Sequence, residues 1–117
     1  MAKKSRKWLR SPCPVACSLD LIGDKWTLLV VRDLLLGRSH FKDFEESPEG
    51  IATNILTNRL GRLVDEGLAE KTPSPERKGR AAYQLTKKGK SLEPVVQAIS
   101  DWGLAQIEGT RIGVRPM

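Results

Sequence analysis

The stretch that most constrains this chain is Trp26-Thr27-Leu28-Leu29-Val30-Val31-Arg32-Asp33-Leu34-Leu35-Leu36. Read as a helix over residues 25–36, it is apolar almost all the way round, and such a helix is buried on most sides. The chain has 117 residues, 39% of them apolar, enough for one domain and one core. The other elements must therefore pack around this helix. Asp24 precedes it as a cap, and Gly37 suits the left-handed position just beyond its end.

The flanking residues supply the punctuation. Pro14 is favoured at the first position of a helix, where its missing N–H costs nothing, so a short helix is expected over 14–22, ending at Gly23. Ser39 is placed to cap a third helix, 40–46, with Phe41 and Phe44 turned inward. Ser47-Pro48-Glu49-Gly50 is turn chemistry. A fourth helix, roughly 53–66, buries Leu56, Leu60, Leu63 and Val64 and is closed by Gly67. Residues 68–72 and 82–85 read as strands around the polar, broken stretch 73–80, which makes a hairpin with a long basic tip. Thr86 caps a last helical region reaching about 108, which Pro94 interrupts near residues 90–93. The expected organisation is a flexible basic arm over 1–12, one domain over 13–108 and a loose tail over 109–117. The fold class is mainly α with a small β-hairpin, a winged helix-turn-helix dimerising through its terminal helices.

Charge points to the partner. The formal net charge is +6, and it is unevenly spread. Residues 1–10 hold Lys3, Lys4, Arg6, Lys7 and Arg10 with no acid, and residues 71–90 hold seven basic side chains against Glu76 alone. Two basic patches on an otherwise mildly acidic body suit a polyanion. The helix 53–66 fits the same partner. The major groove admits an α-helix whose outer face is small and polar, and Thr53, Asn54, Thr57, Asn58 and Gly61 offer such a face, with Arg59 and Arg62 supplying charge. Glu/Lys pairs four apart, usual on a merely solvated helix, are missing from its first three turns. Arg77, Lys78 and Arg80 on the hairpin tip are the expected phosphate contacts. The last helix carries Leu92, Val95, Val96, Ile99 and Trp102 as a stripe with too little of the domain left to cover it. A second copy would cover it, and paired helix-turn-helix proteins read two half-sites of duplex DNA.

Other chemistries lack their residues. Gly89-Lys90-Ser91 resembles the end of a phosphate-binding loop, but the glycine required five residues earlier is Gln84. Cys13 and Cys17 have no second ligand pair, and His40 is the single histidine, so neither a zinc site nor a catalytic triad is expected. No enzyme, metal or cofactor is therefore expected. No apolar run reaches the roughly 18–20 residues of a membrane span. The basic start lacks an apolar segment with a cleavage site, and the chain is read as cytoplasmic.

Several fragments then combine. Cys13-Pro14-Val15-Ala16, Leu19-Asp20-Leu21-Ile22-Gly23-Asp24-Lys25-Trp26 and Leu34-Leu35-Leu36-Gly37 with Phe41 resemble the opening of HxlR-type transcription regulators. Ile55-Leu56-Thr57-Asn58-Arg59-Leu60 with Leu63 and Glu66-Gly67-Leu68 resembles that family's recognition helix and exit. Tyr83-Gln84-Leu85-Thr86 with Gly89 resembles its second wing strand and final-helix entry. The likeness spans about 13–103 and implies a bacterial winged-helix homodimer, related in fold to MarR regulators, that binds operator DNA as repressor or activator. A cysteine at the position of Cys13 senses oxidants or electrophiles in some members and is silent in others. Standing at a helix N-terminus, Cys13 has the setting of a stabilised thiolate; as a small apolar residue it has none of that role. Cys17 and the basic arm depart from the common pattern. The rival reading is a winged-helix protein-interaction module without specific DNA binding.

Overall fold

The computed structural model describes residues 10–112. In order these form α1 (Pro14–Ile22), α2 (Thr27–Leu35), α3 (Phe41–Glu45), α4 (Thr53–Asp65), β1 (Ala69–Pro73), β2 (Ala81–Leu85), α5 (Lys87–Lys90) and α6 (Glu93–Gln106). The expected arm and tail fall outside the described residues except for 10–12 and 109–112.

The core lies where α2, α3, α4 and the base of the hairpin meet. Val30, Val31 and Leu34 of α2 pack with Phe44 of α3, Leu56, Leu60 and Leu63 of α4, and Leu68, Ala69 and Leu85 beside and within the strands. Leu56, Leu60 and Leu63 repeat at helical spacing and are all but sealed from solvent, which is why α4 sits firmly despite its polar outer face. α2 begins at Thr27, two residues later than its apolar run suggests. The Asp24 carboxylate takes the Trp26 and Thr27 backbone N–H groups at 3.1 and 3.2 Å and the Thr27 hydroxyl, so residues 24–26 become the cap.

α3 corrects another expectation. His40, not Ser39, is its N-cap residue. The Asp43 carboxylate reaches back and accepts from His40 N at 3.1 Å and Ser39 N at 3.4 Å. The acid inside the helix thus satisfies the N–H groups that a serine cap would have left to others. The turn after α3 is anchored from below. Buried Asp33 of α2 accepts from the Ser47 hydroxyl, and Arg32 spans to both Glu49 carboxylate oxygens at 2.9 Å.

Gly67 adopts φ +76° and turns the chain from α4 into the hairpin, a conformation in which a side chain would be strained. β1 and β2 pair antiparallel with Ala69 opposite Leu85 and Pro73 opposite Ala81; β1 lies one residue later than expected, and β2 begins one residue earlier and ends as expected. Thr86 caps α5 as expected: its hydroxyl oxygen accepts from Gly89 N at 3.1 Å and its proton goes to Gly67 O at 2.6 Å. The helical region is broken at residues 91–92, and Pro94 lies in the first turn of α6, which ends at Gln106 rather than 108. A Cβ on Gly89 would stand 1.9 Å from Leu68 O, so only glycine lets α5 lie this close to the hairpin base. No helix among the described residues is long and apolar enough to cross a membrane.

Candidate nucleic-acid interface

α3, the Ser47–Gly50 turn and α4 form a helix-turn-helix, and the antiparallel hairpin follows as a wing. On α4, Thr53, Asn54, Thr57 and Asn58 are exposed. The Thr57 hydroxyl donates to Thr53 O at 2.9 Å, and the Thr53 hydroxyl donates to Glu45 at 3.1 Å, which settles the direction of both. The remaining α4 candidates are differently placed. Arg59 turns back toward the body, its Nε 2.7 Å from Asp24, and its other arm donates to Asn58 Oδ1 at 2.6 Å. Arg62 donates to Leu21 O at 2.9 Å and lies 3.9 Å from Asp24. Two arginines expected to bring charge to the outer face therefore lash α4 to the α1–α2 junction.

Asp24 is the hub of that lashing. Partial burial works against its charge, but hydrogen bonds from Thr27, Arg59 and Trp26, with the Arg59 charge, hold its carboxyl well below the usual carboxylate range. From sequence Asp24 reads only as a helix cap. Its second role depends on a residue 35 positions away, which no local pattern signals.

The wing carries Arg77, Lys78 and Arg80 on its exposed tip. Ser74 N donates to Arg80 O at 2.8 Å across the base of that tip, and the Ser74 hydroxyl oxygen accepts from the Glu76 and Arg77 N–H groups. The same hydroxyl is hydrogen-bonded to His40 Nε2, 2.7 Å away. The His40 side chain is largely covered, at 11% exposure. A second clamp sits beside it, where Tyr83 N donates to Ser39 O at 2.8 Å. The wing is fastened to the entrance of the helix-turn-helix by both.

Cys13 occupies the N-cap of α1 and is exposed. The backbone N–H groups of Ala16 and Val15 pull its thiol pKa down. Arg10, a few residues before it, is turned to Asp20 at 2.8 Å. Cys17 is half-buried and its thiol donates to Ser11 O. On the terminal helices, Leu92 and Val96 pack against the core, but Ile99 and Trp102 are 54% and 63% exposed, as are Leu19 and Val15 of α1 at 54% and 67%.

Residues 21–111 match the family model described as HxlR-like helix-turn-helix. The uncharacterised HTH-type transcriptional regulator YdeP of Bacillus subtilis (strain 168) is 33% identical over 91 residues, 78% of this chain and 71% of that protein. Among solved structures, PA1607, a candidate transcription factor, superposes with a TM-score of 0.79 at 38% identity, over 88% of this chain and 73% of that one. The redox regulator HypR in its oxidised form gives 0.72 at 30% identity, over 80% of this chain and 96% of that one.

Proposed function

This chain belongs to the HxlR-like helix-turn-helix family of transcriptional regulators, and we propose that it acts as a homodimer on duplex operator DNA. In this reading α4 enters the major groove with Thr53, Asn54, Thr57 and Asn58 toward the base edges. Arg77, Lys78 and Arg80 of the wing grip phosphate, and Arg59 and Arg62 hold α4 at its angle. The observation that carries it is the division of α4 into a sealed leucine stripe and an exposed polar face free of acids until Asp65. Val95, Ile99 and Trp102 of α6, continuing from Leu92 and Val96, form the seam between copies, with Val15 and Leu19 of α1 beside them. Two-fold pairing places the reading helices about 34–36 Å apart, one turn of DNA, and makes the operator a near-palindrome.

Binding to the best duplex recovered from a random-sequence selection, followed as salt is raised, tests this. Asn58→Ala costs about 1–3 kcal/mol on that duplex and flattens the preference, whereas Lys78→Ala weakens all sequences alike and lowers the salt slope by about one. Equal losses from both substitutions on every sequence overturn the assignment.

Cys13 is the proposed sensing group. An exposed thiol at the start of a helix, favoured as thiolate by the Ala16 and Val15 N–H groups, supports it, as does the likeness to HypR, a redox regulator solved oxidised and reduced. Diamide takes two electrons and two protons from a pair of thiols and leaves a disulfide, here between the Cys13 residues of two subunits. An internal bond to Cys17 is disfavoured, because residues four apart on a helix cannot reach disulfide geometry without unwinding its first turn. Wild type changes its operator affinity after diamide, and Cys13→Ser does not. Equal binding by wild type before and after treatment makes Cys13 structural.

A further inference from the structure

Asn58 faces outward from α4, yet half of its amide is already taken. Arg59 stands 2.6 Å from it through one guanidinium nitrogen while its Nε holds Asp24 at 2.7 Å. A guanidinium carries only donors, so the amide atom it meets is the oxygen, and the Asn58 NH2 group is the part left to face outward. The support beneath is rigid. Asp24 is itself fixed by the Trp26 and Thr27 backbone N–H groups and the Thr27 hydroxyl, and the Arg59 side chain is only 20% exposed.

We propose that Arg59 is a positioning residue that turns the Asn58 amide so that its NH2 edge meets the bases, and that Asn58 therefore selects guanine rather than adenine in the major groove. An asparagine free to use both ends of its amide pairs with adenine, accepting from N6 and donating to N7. With the oxygen turned toward Arg59, the edge of the amide that faces outward is its NH2, and that edge needs acceptors. Guanine presents two, O6 and N7, side by side. Adenine sets its own N6 donor beside N7, thymine offers O4 next to a methyl group, and cytosine presents a donor. Guanine is therefore the best match and cytosine the worst. This inference rests on the reading of α4 as the groove helix and adds the chemistry of one of its contacts.

Selection from a random duplex library, performed with wild type, Asn58→Ala, Arg59→Met and Arg59→Lys, tests it. Wild type selects guanine at one position of each half-site by about tenfold or more over adenine, and Asn58→Ala erases that preference at that position alone. Arg59→Met frees the amide oxygen and shifts the position to adenine. Arg59→Lys keeps a cation beside Asp24 but has no second arm for Asn58, and it gives the same shift in a better-anchored helix, so it decides the matter if the methionine variant does not fold. A change of base preference is not something a loss of stability produces. An Asn58-dependent guanine preference that survives in both Arg59 variants, or an adenine preference in wild type, overturns the proposal while leaving α4 as reader. Wild type without sequence preference, or unchanged preferences in Asn58→Ala, overturns the α4 reading as well.

Discussion

α4 and α6 are nearly equal in length, 13 and 14 residues, and each carries apolar side chains at helical spacing. In α4 those side chains are the centre of the core and the outer face is polar. In α6 no residue is buried, and the outward positions include Ile99, Trp102 and Leu104. The same periodicity thus serves two ends. α4 completes its burial inside one chain and presents hydrogen-bonding groups to the outside. α6 leaves apolar side chains uncovered, and in the proposed pairing the second copy covers them.

The most drastic way to break this comparison is Trp102→Glu. In the isolated chain the new charge is solvated, but in a seam between copies it is buried unpaired, at a cost of several kcal/mol. Sedimentation at micromolar concentration should find monomers with weak operator affinity; persistent dimers would remove α6 from the seam. The monomer so obtained allows the second test. In that background Leu60→Ala lowers unfolding stability by about 2–5 kcal/mol through lost contacts and a cavity. The matching truncation on α6, Ile99→Ala, stays within about 0.5 kcal/mol because its side chain is already exposed. Comparable losses in urea unfolding would erase the distinction between the two helices.

A smaller effect sharpens it. Among the described residues α4 is fastened by charge and α6 is not, so Asp24→Asn should cost about 1.5–3 kcal/mol at pH 7, the range for hydrogen bonds to a charged group. The native carboxyl titrates below the unfolded value of about 3.9, so its contribution is complete above that pH and is lost as pH falls through the depressed native value. Thermal unfolding should show the gap between wild type and Asp24→Asn narrowing below about pH 4. A gap that is constant with pH assigns the loss to packing instead.

Features legible in the sequence share a property: each is written in residues close together along the chain. The Leu56, Leu60 and Leu63 stripe, the polar tip between two strands, the Thr86 cap and the interruption before Pro94 all need only a window of a dozen residues. The outer face of α4 is legible in the same way. What eluded that reading is long-range and polar. Asp24 to Arg59 and His40 to Ser74 join residues 35 and 34 positions apart, and hydrogen-bond partners across elements leave no periodic trace. The same lack made Arg59 and Arg62 look like free cations. The cap of α3 was misplaced for a local reason: serine is the favoured cap, but Asp43 competes for the same N–H groups from within the helix.

The break at residues 91–92 has a geometric consequence. α5 is wedged against the hairpin base at Gly89, and Leu92 at the break and Val96 at the start of α6 touch the core. The far half of α6 projects beyond those contacts. At a rise of about 1.5 Å per residue α6 is about 21 Å long, so a swing of about 10° at the break carries its tip roughly 4 Å. In the proposed pairing each copy contributes such an arm, and the separation of the two reading helices follows from an angle at one two-residue joint. A small rotation there is geared up into a large change of span.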